Sequence, residues 1–151
     1  MEKLYQTAIK AHSTSPIGRG EQINATHFSQ GYNASCGDEI DFSLQLNPSS
    51  GNIENIAFQN DSCAICTASA SILCELSIAS NKENINALYH QLCVILGSEE
   101  NYDTSESFTP QSEAKQKSLK ILSPVGAHPS RVNCALLPWE TVLTAFNHPL
   151  S

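Results

Sequence analysis

The sequence predicts an α+β fold, a small antiparallel β-sheet of about three strands covered by helices. Two observations carry this. Ile40, Phe42, Leu44 and Leu46 alternate with Asp41, Ser43 and Gln45. The run Asn47-Pro48-Ser49-Ser50-Gly51-Asn52 then turns the chain back into the apolar stretch Ile53–Phe58. Period-two alternation broken by turn residues is the pattern of an antiparallel hairpin. Beyond it, apolar residues recur at helical spacing in three stripes, Ile65–Ala79, Ile85–Ile95 and Leu136–Phe146. With 151 residues the chain is long enough for one domain with a real core, and 1–151 reads as a single unit without internal repeats.

Leu4 to His12 reads as the first helix, with Leu4, Ala8 and Ala11 on one face and Tyr5 and Ile9 beside them. Ser13 to Gly20 holds Pro16, Gly18 and Gly20 and is expected to be a loop. A short strand is placed within Ile23–Tyr32. After the hairpin, Asp61 or Ser62 is the expected cap of a helix beginning near Cys63 and striped by Ile65, Ala68 or Ser69, Ile72, Leu76 and Ala79. Asn81 to Asn84 reads as a break. Ile85, Leu88, Leu92 and Ile95 stripe the next helix, which Gly97 ends. Ser98 to Pro110 is polar and acidic, and 98–129 is read as a surface insertion. Within it, Glu113–Leu122 is a further helix and Pro124–Pro129 a loop. A last helical region runs from Ser130 with Leu136, Trp139, Leu143 and Phe146 at core spacing. Pro138 inside it predicts either a kink or the start of a new helix.

Charge excludes one class of function. With 15 acidic against 8 basic residues and a net charge of -7, the chain lacks the basic surface that neutralises phosphates, so no nucleic-acid partner is expected. No apolar run approaches the roughly 20 residues of a membrane span, and the charged start Met1-Glu2-Lys3 does not resemble a secretion signal. A cytoplasmic protein without a membrane partner is the expectation. Six cysteines in that compartment point to metal binding, thiol chemistry or core packing rather than to disulfides.

The cysteines differ in context. Cys36-Gly37-Asp38 precedes the clearest strand. A positive φ at Gly37 would turn a thiolate and a carboxylate toward one ion. Cys63 sits where a helix begins, and backbone N–H groups with the helix dipole favour thiolate there. Arg131 precedes Cys134 by one helical turn and is placed to set its charge beside that sulfur. Cys74 and Cys93 adjoin leucines in helical stripes and are assigned to the core. Cys63-Ala64-Ile65-Cys66 is a C-x-x-C. It lacks the βαβ context of redox motifs and the second C-x-x-C of a zinc ribbon. Cys66 is therefore read as an accessory thiol near the site. The five histidines show no metal-binding spacing, and serine-hydrolase, P-loop and dinucleotide signatures are absent.

Three segments together carry a resemblance: Asn33-Ala34-Ser35-Cys36-Gly37-Asp38, Asp61-Ser62-Cys63-Ala64-Ile65-Cys66 with the small residues after it, and Arg131-Val132-Asn133-Cys134-Ala135-Leu136-Leu137. In this order they resemble the U-type iron–sulfur scaffold family, the IscU, SufU and NifU N-terminal proteins, across nearly the whole chain. The resemblance implies a SufE/IscU-like fold. It also implies that Cys36, Asp38, Cys63 and Cys134 bind Zn²⁺ or hold a nascent [2Fe–2S] cluster, a donor set that suits either. Implied partners are a pyridoxal-phosphate-dependent cysteine desulfurase, apo-protein cluster acceptors and other assembly proteins. The activity implied is that of a scaffold or persulfide acceptor rather than a stand-alone enzyme. A zinc-dependent sulfurtransferase is the alternative. The chain looks closest to the SufU branch, because of its 98–129 insertion, because Asn133 stands where the IscU branch has histidine, and because that branch's Leu-Pro-Pro-Val-Lys chaperone segment is missing. Cys66 stands where serine is usual and Ala34 where proline is usual. Cys36, in a loop beside Gly37, is the expected persulfide acceptor, and Arg131 would steady the remaining thiolates.

Overall fold

A computed structural model describes residues 2–98 and 111–150. Helix α1 (Glu2–Thr14) leads through a loop to β1 (His27–Asn33), β2 (Asp38–Leu46) and β3 (Ile53–Asp61). Then come α2 (Ala64–Ser77), α3 (Lys82–Leu96), α4 (Glu113–Leu119), a 3-10 stretch over Lys120–Ala127 and α5 (Pro129–Ala145). The strands form one antiparallel sheet in the order β1-β2-β3. The predicted α+β architecture is what the chain adopts.

The alternation in β2 sets the sheet's two faces. Ile40, Phe42 and Leu44 are buried on one side with Phe58 of the neighbouring strand, and Phe42 stacks against Phe58 with ring centroids 5.5 Å apart. Helices α2 and α5 pack over this face, bringing Ile72, Leu73, Leu136 and Trp139 into one core with it. Both sheet edges are covered by loop backbone. Gly18 O accepts from Phe58 N–H and Gly20 N–H donates to Phe58 O along β3, while His148 O and Leu150 N–H bond Phe28 and Thr26 at the β1 side. These bonds cap each edge over part of its length and shorten the template for strand addition.

Several boundaries differ from the sequence expectation, each for a local reason. The cap of α2 is Cys63 itself, not Asp61 or Ser62: its backbone is extended and its sulfur accepts the Cys66 N–H. The expected break at Asn81–Asn84 is a capping box, in which Asn81 and Asn84 side chains each accept the other's backbone N–H, so α3 starts at Lys82. Gly97 ends α3 in the left-handed conformation, as predicted. Pro124 lies within the 3-10 stretch rather than a loop. No new helix starts at Pro138; α5 runs from Pro129 to Ala145 with Pro138 inside it and Pro129 in its first turn. Of the expected insertion, 99–110 lies outside the described residues. The part after it sends Leu119, Leu122 and Val125 into the core.

Candidate metal centre

Three separate segments meet at one end of the sheet. The turn between β1 and β2 is closed by a Gly37 N–H bond to Asn33 O at 2.8 Å, and Gly37 has φ +71. A Cβ there would meet nothing within 4 Å, so glycine is required by backbone conformation alone. The turn ends by pointing Asp38, the first residue of β2, inward. Asp38 is fully buried, whereas Cys36 at the turn is exposed. Cys134, fully buried in α5, arrives from the opposite side. The Cys36 sulfur, a carboxylate oxygen of Asp38 and the Cys134 sulfur all lie within 4.8 Å of one another.

Cys63 borders this trio rather than belonging to its tight core. Its backbone N–H donates to Asp38 Oδ1 at 2.9 Å, and its thiol reaches both Asp38 and Cys134. The helix α2 is thereby tied to the carboxylate through its own cap. Cys63 is half-buried. Cys66, three residues on, is fully buried in the core, and Cys74 and Cys93 are buried as predicted.

The carboxylate is surrounded by donors. Burial pushes the Asp38 carboxyl up, but the Cys63 backbone N–H, the Cys134 and Cys63 thiols and Asn33 outweigh it and hold the group below its ordinary value. Asp38 is therefore ionised at neutral pH. Cys134 moves the other way: burial first, then its hydrogen bond to Asp38 and the nearby Cys36 and Cys63 sulfurs, push its thiol up. Cys134 thus holds a proton that it donates to the carboxylate. A cation entering between them would displace that proton, which is how metal binding couples to thiol ionisation.

Two neighbours shape the site further. Asn33 Nδ2 donates to Asp38 Oδ2 at 3.3 Å and to Cys134 Sγ at 3.6 Å, bridging the two buried ligands. Sequence reading placed Asn33 in the motif but gave it no role; an amide at the end of a strand carries no signal of what its side chain will face. Arg131 is exposed on the first turn of α5. Its guanidinium is held above its ordinary value by Cys63 first, then by Cys134 and Cys36, so its charge faces the sulfurs as expected. The Cys36 thiol also donates to the Ser130 carbonyl at 3.7 Å.

The residues fit a metal ion or a thiolate-held cluster. A fully buried carboxylate has no ion-pair partner among the described residues, and thiols stand on either side of it. Three thiolates and one carboxylate match tetrahedral zinc and the ligation of iron–sulfur clusters.

Comparison with known proteins agrees with this geometry. The profile of the NifU-like N terminal domain matches residues 4–93. An iron–sulfur cluster assembly scaffold protein IscU of Thermotoga maritima is 32% identical over 142 residues, covering 94% of this chain and 92% of the relative. The zinc-dependent sulfurtransferase SufU of Bacillus subtilis is 25% identical over 143 residues, covering 94% of this chain and 88% of the relative. Among solved structures, a candidate scaffold protein for iron–sulfur cluster assembly in the SUF system of Fervidobacterium islandicum AW-1 superposes with a TM-score of 0.75 at 27% identity. It covers 96% of this chain and 98% of that one. With the domain profile matched over more than half of the chain and a relative 32% identical across nearly its whole length, this chain belongs to the family of NifU-like N-terminal domains.

Proposed function

We propose that this chain is an iron–sulfur cluster assembly protein, a scaffold for a nascent [2Fe–2S] cluster or an acceptor of persulfide sulfur from a cysteine desulfurase. The observation that carries it is the meeting of Cys36, Asp38 and Cys134 within 4.8 Å, with Cys63 tied to the same carboxylate. Cys36, Asp38, Cys63 and Cys134 are the ligands; Gly37, Asn33 and Arg131 support them. In this reading the protein is cytoplasmic, SufU-like, and a single domain over 1–151 with 98–129 as its insertion. Its products pass to apo-proteins or other assembly proteins. No helix among the described residues is long and apolar enough to cross a membrane.

The chain's own residues suggest a division of labour. Cys134 and Asp38 are buried and mutually bonded, so they anchor. Cys36 is exposed on a turn with a glycine beside it, so it can leave and meet a partner's sulfur. Its thiolate attacks the outer sulfur of the desulfurase persulfide, forming Cys36–S–SH and releasing the partner's cysteine thiolate. Arg131 stabilises the thiolate charge left behind. Bound Zn²⁺ would keep the ligand cysteines as thiolates near neutral pH.

The second reading is a zinc-dependent sulfurtransferase that activates the desulfurase without holding a stable cluster, and the exposed Cys36 favours it. One experiment covers both. Protein purified without oxygen is analysed for zinc and iron, then mixed with a cysteine desulfurase, cysteine and pyridoxal phosphate, and the added sulfur is mapped by peptide mass spectrometry. Sulfur on Cys36 with a stable cluster after adding iron supports the scaffold; sulfur on Cys36 with zinc alone supports transfer. Sulfur on Cys134 and none on Cys36 overturns the assignment of the acceptor. Unchanged metal content in Cys36→Ser, Cys63→Ser and Cys134→Ser alike overturns the site.

A further inference from the structure

Cys66, the second cysteine of the C-x-x-C at the head of α2, has no part in the proposed assembly chemistry, and its placement beside the ligand Cys63 is specific. Cys63 is the N-cap and Cys66 the third residue of the helix. Their Cα separation is set by the two helical residues between them, Ala64 and Ile65. From a helix radius of about 2.3 Å and a rise of about 1.5 Å per residue it is about 5 Å. That falls inside the roughly 4.4–6.8 Å window that a disulfide spans. The Cys66 N–H points at the Cys63 sulfur at 3.5 Å, so the Cys63 side chain already lies over the first turn. Helical side chains lean toward the N-terminus, which carries the Cys66 thiol back toward Ser62 and Cys63.

We propose that Cys63 and Cys66 form a reversible intramolecular redox pair, whose disulfide withdraws Cys63 from the ligand cluster and disables the site. Exposure orders the steps. Cys63 is half-buried and meets the oxidant first; Cys66 is fully buried and reacts from within the fold. With a hydroperoxide as oxidant, the Cys63 thiolate takes one oxygen to become Cys63–SOH, and the hydroperoxide leaves as hydroxide or alkoxide. The Cys66 thiol then displaces water from that sulfur, giving the Cys63–Cys66 disulfide. Two thiols lose two electrons, and the O–O bond is reduced. The second cysteine thus diverts Cys63 from irreversible over-oxidation, since a sulfenic acid beside a thiol condenses to a disulfide. An external dithiol reverses the reaction by thiol–disulfide exchange. The consequence for the site rests on the proposed function; the disulfide itself does not.

The test starts with reduced, metal-free full-length protein treated with hydrogen peroxide and then alkylated. No Lys or Arg lies between Arg19 and Lys82, so trypsin is combined with a protease cutting before Asp61, and fragment spectra separate Cys63, Cys66 and Cys74. The expected product is a peptide two hydrogens lighter, with Cys63 and Cys66 unalkylated and Cys36, Cys74 and Cys134 alkylated. Cys66→Ser should instead accumulate a Cys63 sulfenic acid that dimedone captures, with Cys66→Ala as the second variant should the serine disturb the fold. A disulfide joining Cys63 to Cys36 or Cys134, or Cys66 alkylated throughout, overturns the pair. A second arm follows zinc release from zinc-loaded wild type during oxidation and its recovery with dithiothreitol. Zinc that stays bound to the chain carrying the Cys63–Cys66 disulfide overturns the switch. A chain that forms the disulfide yet holds neither zinc nor cluster keeps the redox pair and defeats the assembly reading instead.

Discussion

Asp38 combines two properties that rarely meet in one side chain, full burial and a stable negative charge. Its four donors make that possible, and two of them are thiols of the site itself. The carboxylate is also the hardest and most exchangeable donor in a sulfur-rich set. Asp38→Ala is therefore expected to lengthen the lifetime of a chemically reconstituted cluster and to slow its transfer to an acceptor, followed by visible absorbance; a shorter lifetime than wild type would contradict this. Asn33 acts one step further out, donating to both Asp38 and Cys134. Loss of such an outer partner usually weakens metal binding by about 10–100-fold, and Asn33→Ala is expected to do so here. Zinc competition with a chromophoric chelator measures it, and an unchanged affinity would show that Asp38 is held well enough by Cys63 alone.

The elements that carry the ligands are locked to each other by a short polar chain. Ser69 of α2 donates to the Ala135 carbonyl of α5 at 2.5 Å and accepts from Trp139 Nε1 at 3.1 Å. All three residues are fully buried. This link fixes the helix bearing Cys63 against the helix bearing Cys134. Ser69→Ala leaves a buried indole N–H without its partner and is expected to cost about 1–3 kcal/mol, read by urea denaturation. On the other side of α5, a Cβ at Gly31 of β1 would meet Thr141 Oγ1 and Leu137 Cδ1. Gly31→Ala is expected to destabilise by about 1–3 kcal/mol through overpacking, read in the same denaturation series. A neutral Gly31→Ala would mean that α5 can shift without cost.

At the scale of the whole molecule, stability rests on one apolar core and on the site that closes its edge. His12 Nε2 lies 3.7 Å from a Glu75 carboxylate oxygen, partly exposed, a kind of contact that contributes little. His12 also contacts Ser71 at 2.7 Å, and Ser71 accepts the Ile17 N–H, so α1 and its loop are held onto α2. A ligand that binds the folded state alone stabilises it by about 4 kcal/mol when present at about 1,000 times its Kd. Zinc is therefore expected to raise the melting temperature of the metal-free chain in a concentration-dependent way, by calorimetry. Cys63→Ser should abolish most of that rise. An equal rise in the variant would place the zinc elsewhere.

The sequence by itself determined the sheet, because a period of two is written directly into Ile40–Leu46, and it determined the helical stripes and the end of α3 at Gly97. It also singled out Cys36, Gly37, Asp38, Cys63, Cys134 and Arg131, because thiols, a carboxylate and a glycine in three ordered motifs are legible one residue at a time. It did not reach the cap of α2, since a cysteine is a poor cap by type and becomes one only when Asp38 takes its backbone N–H from 25 residues away. It did not reach the role of Asn33, nor whether a new helix would start at Pro138, where α5 instead continues because packing against α2 and the sheet outweighs a missing backbone donor. Nor did it tell that Leu119, Leu122 and Val125 would leave a polar segment for the core. Local pattern records which residues a segment offers. Which of them end within 4.8 Å of each other is decided by contacts between segments as much as 101 residues apart, and those only tertiary packing can set.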